Sequence, residues 1–468
     1  MTLQEITTFA KEYGFIFPSS EIYDGVKAVY DYGHYGSLLK QNIKNLWIKT
    51  MVQEHNNIVN LDSAIFMHPK VWKASGHVDN FDDLMIDNKD SKKRYRVDTI
   101  IEDFAAELSK KGEHDRAEKI LKNLKTLLNA NDLEGLRNLI IKKNIVCPIS
   151  GNANWTNVRH FNLMFYTQTS DDEIIYLRPE TAQGIYINFH NVQKSTHMKI
   201  PFGIAQVGKS FRNEIIARQF IFRMKEFEQM EMQFFIQPDT DKEWFDKWKE
   251  IRMQWYHDLG ISKNRLHFKP HDKLSHYAKA AEDIEYEFDF GFKEIEGIHA
   301  RGDFDLSNHE KFSNKNLKYF DVEKNLAYIP HVLETSCGCD RIFLMLLSEF
   351  LLKEKVEERE RTVLKLPFSL APIKIAILPL MKKDGMAEKA QDCFDVLKKK
   401  FMCSYDETQS IGKRYVRNDL IGTKFCVTID YQTLEDNTVT VRDRDTMQQT
   451  RIPLENVEKF INDSTDVR

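Results

Sequence analysis

No run of 18 or more apolar residues occurs in this 468-residue chain, and its opening MTLQEITTFAKEYG lacks the pattern of a secretion signal. No membrane partner is expected, and the chain reads as cytoplasmic. Cysteine is scarce: six residues, at 147, 337, 339, 393, 403 and 426, form no disulfide framework, which agrees with a reducing compartment. An excess of charge of one sign is also missing. Lys plus Arg number 67 against 71 Asp plus Glu, a formal net charge of −4, so a nucleic-acid partner would have to be held by local basic patches.

What is present is a soluble, enzyme-sized composition, 42% hydrophobic and 29% charged. The length exceeds one ordinary core and predicts two or three domains. The most informative stretch is GIAQVGKSFRNEIIARQFIFRMKEFEQMEMQFF, Gly203 to Phe235. Gln206, Gly208, Ser210, Arg212 and Glu214 alternate with Ala205, Val207, Lys209 and Phe211, the period of a strand with one polar or small face. A second strand is expected after a loop, with Arg223, Lys225, Phe227, Gln229, Glu231 and Gln233 on one face. Met224, Met230, Met232 and Phe234 mostly share the other. A face of Arg, Glu, Phe and Gln backed by Met and Phe suits a charged aromatic ligand. The same alternation also fits an amphipathic hairpin with a solvated polar face.

Arg341 carries a separate physical argument. It opens RIFLMLLSEFLL, a helix apolar on nearly every side, and a buried cation without a partner would cost several kcal/mol. An anion is therefore expected near it. Gly338 permits close backbone approach and the helix N-terminus favours phosphate, while an internal salt bridge to Glu334 or Asp340 is the alternative.

The Gly203–Phe235 stretch, with FRNE at Phe211 to Glu214, resembles motif 2 of the class II aminoacyl-tRNA synthetases. RPETAQG (Arg178 to Gly184), SHYAKAAEDIEYEF (Ser275 to Phe288) and ETSCGCDR (Glu334 to Arg341) resemble the homodimeric glycyl-tRNA synthetase family. FPSSEIYDGVKAVYDYG near the start and IGTKFCVTIDYQTLEDNTVTVRDRDT near the end extend the resemblance over nearly the whole chain. It implies an α+β fold: a class II antiparallel sheet flanked by helices, a helical insertion, and a C-terminal α/β anticodon-binding domain. The expected domains are a catalytic unit over 1–366, with its insertion at about 100–145, and an anticodon-binding unit over 367–468. KLPFSLAP, Lys365 to Pro372, marks the linker.

Along the chain, Leu39, Ile43, Trp47 and Met51 form one apolar stripe of a helix over Gly36 to His55, suited to packing or to a subunit contact. Leu61 to His77 reads as a strand, a proline turn and a short helix, and by resemblance is the dimer-forming motif 1 region. The insertion helices are expected to present a solvated face, with an acceptor-end tRNA contact as the alternative. The catalytic sheet is expected to resume at FNLMF, Phe161 to Phe165. Pro372 to Arg468 holds 16 Lys plus Arg and 16 Asp plus Glu, so tRNA recognition there depends on placed groups, with Lys413, Arg414, Arg417, Arg442 and Arg444 as candidates.

The resemblance implies glycine activation with ATP, then transfer to the 3′ end of tRNA(Gly). Amino-acid activation needs no protein nucleophile, only charge neutralisation and alignment of two substrates. Arg212 would fork between the α-phosphate and the attacking carboxylate, Glu214 would accept the adenine amino group, and Phe227 would stack on the base. Arg223, or Arg218, would hold the γ-phosphate. The catalytic set is Arg212, Glu214 and Arg341. The ATP set adds Asn213, Phe222, Arg223, Met224, Lys225, Glu226, Phe227, Glu294, Ile295, Gly338, Cys339 and Asp340. Glu294 would help hold the Mg²⁺ that accompanies ATP.

For glycine, Glu180, Glu231 and Glu334 would surround the ammonium, with Gln229 and Ser336 lining the pocket and Arg96 near the carboxylate. Phe227, Glu228, Met230, Thr335, Cys337 and Gly338 complete that set. Larger amino acids would be rejected by clash, so no editing domain is expected. His276, His299 and Cys337 are read as structural rather than as nucleophiles or metal ligands. No structural zinc is expected, because CPIS at Cys147 to Ser150 keeps one cysteine where relatives carry a pair.

A class I synthetase is set aside for want of HIGH-like and KMSKS-like elements. The remaining alternatives are another class II synthetase, of prolyl or threonyl type, and a non-catalytic tRNA-binding paralogue. Three departures from the family pattern stand out: HYG at His34 to Gly36, ETS in place of EPS at Glu334 to Ser336, and CGCD at Cys337 to Asp340. Thr335, without proline's fixed φ, is expected to loosen a loop.

Overall fold

The computed structural model describes residues 1–214, 219–271, 279–356 and 359–465. Its centre is a seven-stranded sheet whose strands, in chain order, are β1 (Ile58–Asn60), β2 (Phe202–Phe211), β3 (Glu226–Ile236), β4 (Leu266–Pro270), β5 (Ala280–Phe288), β6 (Gly291–Gly302) and β7 (His331–Gly338). They lie in the order β4-β5-β6-β7-β3-β2-β1, antiparallel throughout except for the parallel pair β1–β2.

Period two divides β3 into two functions. Met230, Met232 and Phe234 turn to the main core, where the helix Asp241–Asp258 packs Trp248, Trp255 and Tyr256 against them. Gln229, Glu231 and Gln233 turn the other way. On the core face, the back of the sheet, Glu296 of β6 accepts from Arg252 Nε at 2.6 Å and from Tyr256 OH at 2.7 Å, so a fully buried cation and anion are joined.

The helix α2 (Cys339–Phe350) follows β7 directly, and nine of its residues are buried. Each large apolar side chain among them contributes roughly 1.5–3 kcal/mol by leaving water. It packs against α1 (His34–Ile48), whose stripe Leu39, Ile43 and Trp47, continued by Met51 in a π-turn, is buried in the same core. The stripe therefore packs inside the chain. Lys365 to Pro372 is also packed rather than loose: Asn42 of α1 donates to the carbonyls of Leu370 and Ala371, both at 3.1 Å.

Between α1 and β2 stands a unit with its own core, built on Ile86, Val97, Ile101, Leu136, Ile140 and Trp155. It has the helices Val97–Lys110, His114–Asn129 and Leu133–Lys142, and a three-stranded sheet of Asp82–Asn88, Lys93–Arg96 and Arg159–Asn162. The strand expected to restart the catalytic sheet at Phe161 belongs here instead, with Phe161 paired to Asp83. Cys147 is buried in this unit, 3.1 Å from Tyr95 Oη and 3.3 Å from Ser91 Oγ. Burial raises its pKa, but hydrogen bonds from Ser150 and these hydroxyls bring the thiol down to about 6.

The C-terminal unit carries a five-stranded sheet in the order Cys403–Tyr405, Ile375–Pro379, Phe425–Ile429, Thr438–Asp443, Gln449–Pro453. The first three strands are parallel. Three of the five candidate basic residues prove structural. Arg414 donates to the carbonyls of Pro379, Asp406 and Leu380, Arg442 pairs with Asp419, and Arg444 donates to Gly422 and Leu366. Arg417 is engaged by Asp406, and Lys413 is exposed.

Candidate active site

The front face of β3, β6 and β7 floors a cavity of about 250 Å³. Register brings the floor together: Glu231 stands opposite Gln206 and Ser336, Gln233 opposite Glu334, and Glu334 opposite His299. Close packing behind the wall depends on small residues. A Cβ on Gly208 would sit 2.2 Å from a terminal guanidinium nitrogen of Arg178, which is buried and donates to Lys209 O and Ser63 O.

One end of the cavity is acidic, with Glu180, Glu231 and Glu334. Their environments differ. Burial raises the Glu231 carboxyl and its neighbours Glu334 and Glu180 raise it further, so it stands well above the usual carboxylate range. Glu334 is held well below that range: burial opposes its charge, but Arg301 and the His299 bond outweigh burial. Glu180 is likewise brought down to about 2 against burial, by His77 and Arg301. Hydrogen bonds fix the trio. Gln233 Nε2 donates to Glu231 at 3.0 Å and to Glu334 at 2.7 Å, Thr181 Oγ1 donates to Glu231, and Tyr186 OH orients Gln233 at 2.7 Å.

The rest of the lining sets Arg212, Arg223 and Arg341 among the carboxylates Glu214, Glu294 and Asp340. Arg212 donates through Nε to Pro179 O at 3.1 Å, and its guanidinium lies 5.3 Å from the Phe227 ring centre and 5.4 Å from that of Phe81. Arg223 reaches Glu214 at 3.7 Å. Arg341 lies 4.4 Å over the Phe222 ring and donates to the Glu294 carboxylate at 3.1 Å and to its carbonyl at 3.0 Å. Arg341 holds the Glu294 carboxyl below its ordinary value. Asp340, next in chain, is pinned by Lys40 at 2.7 Å, by Tyr32 and by the Glu228 amide at 2.8 Å, which fixes the start of α2.

Three family models match the chain. The tRNA synthetase class II core domain (G, H, P, S and T) matches 165–350, glycyl-tRNA synthetase insertion domain 1 matches 83–163, and the anticodon binding domain matches 374–464. Among curated relatives, the glycine–tRNA ligase of Chlorobaculum tepidum is 51% identical over 98% of this chain and 99% of its own. That of Macrococcus caseolyticus is 48% identical over 98% of each, and that of Treponema denticola 47% identical over 97% and 95%. The chain belongs to the glycine–tRNA ligase family. Among solved structures, the prolyl-tRNA synthetase of Cryptosporidium parvum complexed with L-proline and AMP shares the fold, with TM-score 0.59 and 14% identity over 98% of this chain and 77% of that one. The insertion match is wider than the helical stretch at about 100–145, because the three strands around the helices belong to it.

Within this ligase-family fold, fifteen of the expected residues line the cavity: Glu180, Arg212, Glu214, Phe222, Arg223, Met224, Phe227, Gln229, Glu231, Glu294, Glu334, Ser336, Gly338, Asp340 and Arg341. Others do not. Met230, Thr335 and Cys337 are buried on the back of the sheet because they sit at the opposite parity, and Ile295 and Cys339 are in the main core. Glu228 turns from the cavity to Lys40 and Lys44, at 2.9 and 3.1 Å. Glu226 pairs with Lys209 at the sheet's end, while Lys225 and Asn213 use their amides on Ala28 O and Leu163 O. Arg96 belongs to the insertion, where Asp83 and Asp98 hold it at 3.0 and 2.6 Å.

Arg341 is corrected in two respects. It is 23% exposed, since it sits on the cavity side of a helix otherwise buried, and its anion is Glu294, neither Glu334 nor Asp340. Glu334 to Ser336 lies inside a strand, so Thr335 does not loosen a loop. Arg223 to Lys225 precede β3 rather than extend it. Arg218, His276 and the SHY tripeptide fall outside the described residues. Sequence reasoning missed Gly297 and Arg301 and read His299 as background. Their alternate spacing in GIHAR was the available signal, since period two puts all three on one face.

Proposed function

We propose that this chain activates glycine with ATP to glycyl-adenylate and transfers glycine to the 3′ end of tRNA(Gly). The observation that carries this reading is the charge pattern of the cavity: Glu180, Glu231 and Glu334 are grouped with Arg301 and His299 at one end, and Arg223 and Arg341 stand with their partners Glu214 and Glu294 at the other, with Arg212 also in the lining. A zwitterion with almost no side chain and a polyphosphate are complementary to those two ends.

Glu180, Glu231 and Glu334 take the ammonium of glycine, and selectivity against larger amino acids rests on clash of a β-carbon with the walls around them. Arg212 forks between the substrate carboxylate and the α-phosphate, neutralising both as the bond forms. Its two flanking rings and the Pro179 bond fix it before substrates arrive, so little reorganisation is left for the reaction. Phe227 stacks on the base, Glu214 accepts its amino group, and Arg223 and Arg341 hold the phosphates. The Mg²⁺ that accompanies ATP would supply charge neutralisation at the phosphates. Glu294 is the carboxylate at that end, and its negative charge is already stabilised by Arg341. The carboxylate of glycine attacks phosphorus and pyrophosphate leaves, with no covalent enzyme intermediate.

We assign the catalytic unit to 1–366 and the anticodon-binding unit to 367–468, and place the working enzyme in the cytoplasm as a homodimer. A groove with exposed Ile187 and Phe312 beside His68 and Val71, in the motif 1 region, supports the dimer reading. The test is aminoacylation of a tRNA(Gly) transcript with labelled glycine. Charging of tRNA(Gly) but not of tRNA(Pro) or tRNA(Thr) is expected, and failure to charge tRNA(Gly) would reject the proposal.

A further inference from the structure

Among the described residues, one group of metal-ligating side chains converges: His271, Asp283 and His299, whose donor atoms all lie within 4.8 Å of one another. Sheet pairing assembles them. His271 follows β4, Asp283 lies on β5, and β6 carries His299 two residues beyond Gly297, which stands opposite Asp283. His271 Nε2 lies 2.8 Å from Asp283 Oδ1, and the two imidazole rings meet edge to face with centres 5.5 Å apart. A glycine at 297 keeps this corner open, since a Cβ there would come within 2.7 Å of the His299 ring and 3.6 Å of Asp283 Oδ1.

The outer partner of His299 is already in place. His299 Nδ1 lies 2.8 Å from Glu334 Oε1, so Nδ1–H donates to the carboxylate and Nε2 is the ring nitrogen left for an ion. A carboxylate behind an imidazole is the arrangement that fixes tautomer and ring orientation in metal sites. The three side chains are 30%, 16% and 19% exposed, enough for an ion to reach them from solvent.

We propose that His271, Asp283 and His299 bind a Zn²⁺ ion beside the acidic end of the cavity. Two imidazole nitrogens and one carboxylate oxygen, with a fourth position open, suit Zn²⁺ and not Mg²⁺, which takes oxygen ligands. Bonds of about 2.0–2.2 Å in a tetrahedron set neighbouring donors about 3.3–3.6 Å apart, so His271 and Asp283, now 2.8 Å apart, separate slightly while His299 adjusts towards them when the ion enters. The proton that bridges His271 Nε2 and Asp283 is released to solvent, and the neutral His271 ring carries its remaining proton at Nδ1. Bound metal draws electron density from His299 and strengthens its Nδ1–H bond to Glu334, which links the ion to the amino-acid end of the cavity. Metal binding itself does not rest on the glycine reading.

The test titrates the chelator-treated full chain with Co²⁺, followed by visible absorption, and then displaces Co²⁺ with Zn²⁺. One equivalent of Co²⁺ with tetrahedral absorption, displaced by one of Zn²⁺, is expected. His271→Gln and Asp283→Asn should each weaken Zn²⁺ binding by about 10- to 100-fold with unchanged circular dichroism, and Cys147→Ser should bind as wild type. Absence of tetrahedral Co²⁺ in the wild type, unchanged affinity in both ligand variants, or loss in Cys147→Ser would overturn the assignment.

Discussion

Arg341 and Glu294 form an ion pair of 3.1 Å at the phosphate end of the cavity, with the Phe222 ring 4.4 Å beneath the guanidinium. The Glu294 carboxylate engages the arginine that a nucleotide would contact. Arg341→Ala is expected to lower kcat/KM for ATP in pyrophosphate exchange by about 100-fold or more, the usual scale for a preorganised charge-stabilising donor. Because Arg341 is partly exposed, its loss should leave Tm within a few degrees. Steady-state exchange and a thermal melt on the same preparation check both statements.

Glycine binding should release protons. The Glu231 carboxyl is raised well above its ordinary value in the empty site by burial and by Glu334 and Glu180. An ammonium beside it stabilises the charged form, so the bound-state pKa falls below the empty-state one. Affinity therefore rises with pH up to the empty-state pKa and levels above it. Calorimetry in two buffers of different ionisation enthalpy measures the release, which should grow as pH falls towards the middle of that window and vanish in Glu231→Gln.

The buried pair Arg252–Glu296 makes a stability prediction away from the site. Both side chains are almost fully enclosed, and Tyr256 supplies a further bond. Glu296→Ala leaves a buried guanidinium without its anion and should cost roughly 3–5 kcal/mol, whereas Arg252→Met with Glu296→Leu should cost much less. Denaturant unfolding of the three proteins decides this, and equal losses for the single and double changes would contradict it.

Thr335 provides a smaller test. It is 1% exposed and among the described residues its hydroxyl has no hydrogen-bond partner, so Thr335→Val should be neutral or stabilise by about 1 kcal/mol. Its side chain faces the back of the sheet, and glycine KM should stay within about twofold. Denaturant midpoint and KM together check it.

The site was legible where strand parity and contiguous sequence coincide. Phe227, Gln229 and Glu231 follow from β3 alone, and Glu334 and Ser336 from β7. Parity also explains the residues that did not arrive: Met230, Thr335 and Cys337 lie between them in sequence and on the far side of the sheet in space. Arg301 and His299 were missed because their meaning is a long-range pairing. Only the register of β6 against β7 reveals that His299 stands opposite Glu334. The Arg341 partner was misjudged for the same reason, since Glu294 is distant in sequence while Glu334 and Asp340 are adjacent. Phe161 reads as a strand in either sheet, and alternation cannot say which edge it joins.

The central claim is that glutamates at one end of this cavity select glycine and arginines at the other engage ATP. ATP–pyrophosphate exchange with each of the twenty amino acids, in wild type, Glu231→Ala and Arg341→Ala, tests it most directly. The expected result is exchange with glycine alone, abolished or nearly so by both changes. Exchange supported by proline or threonine, or undiminished in Glu231→Ala, would contradict it.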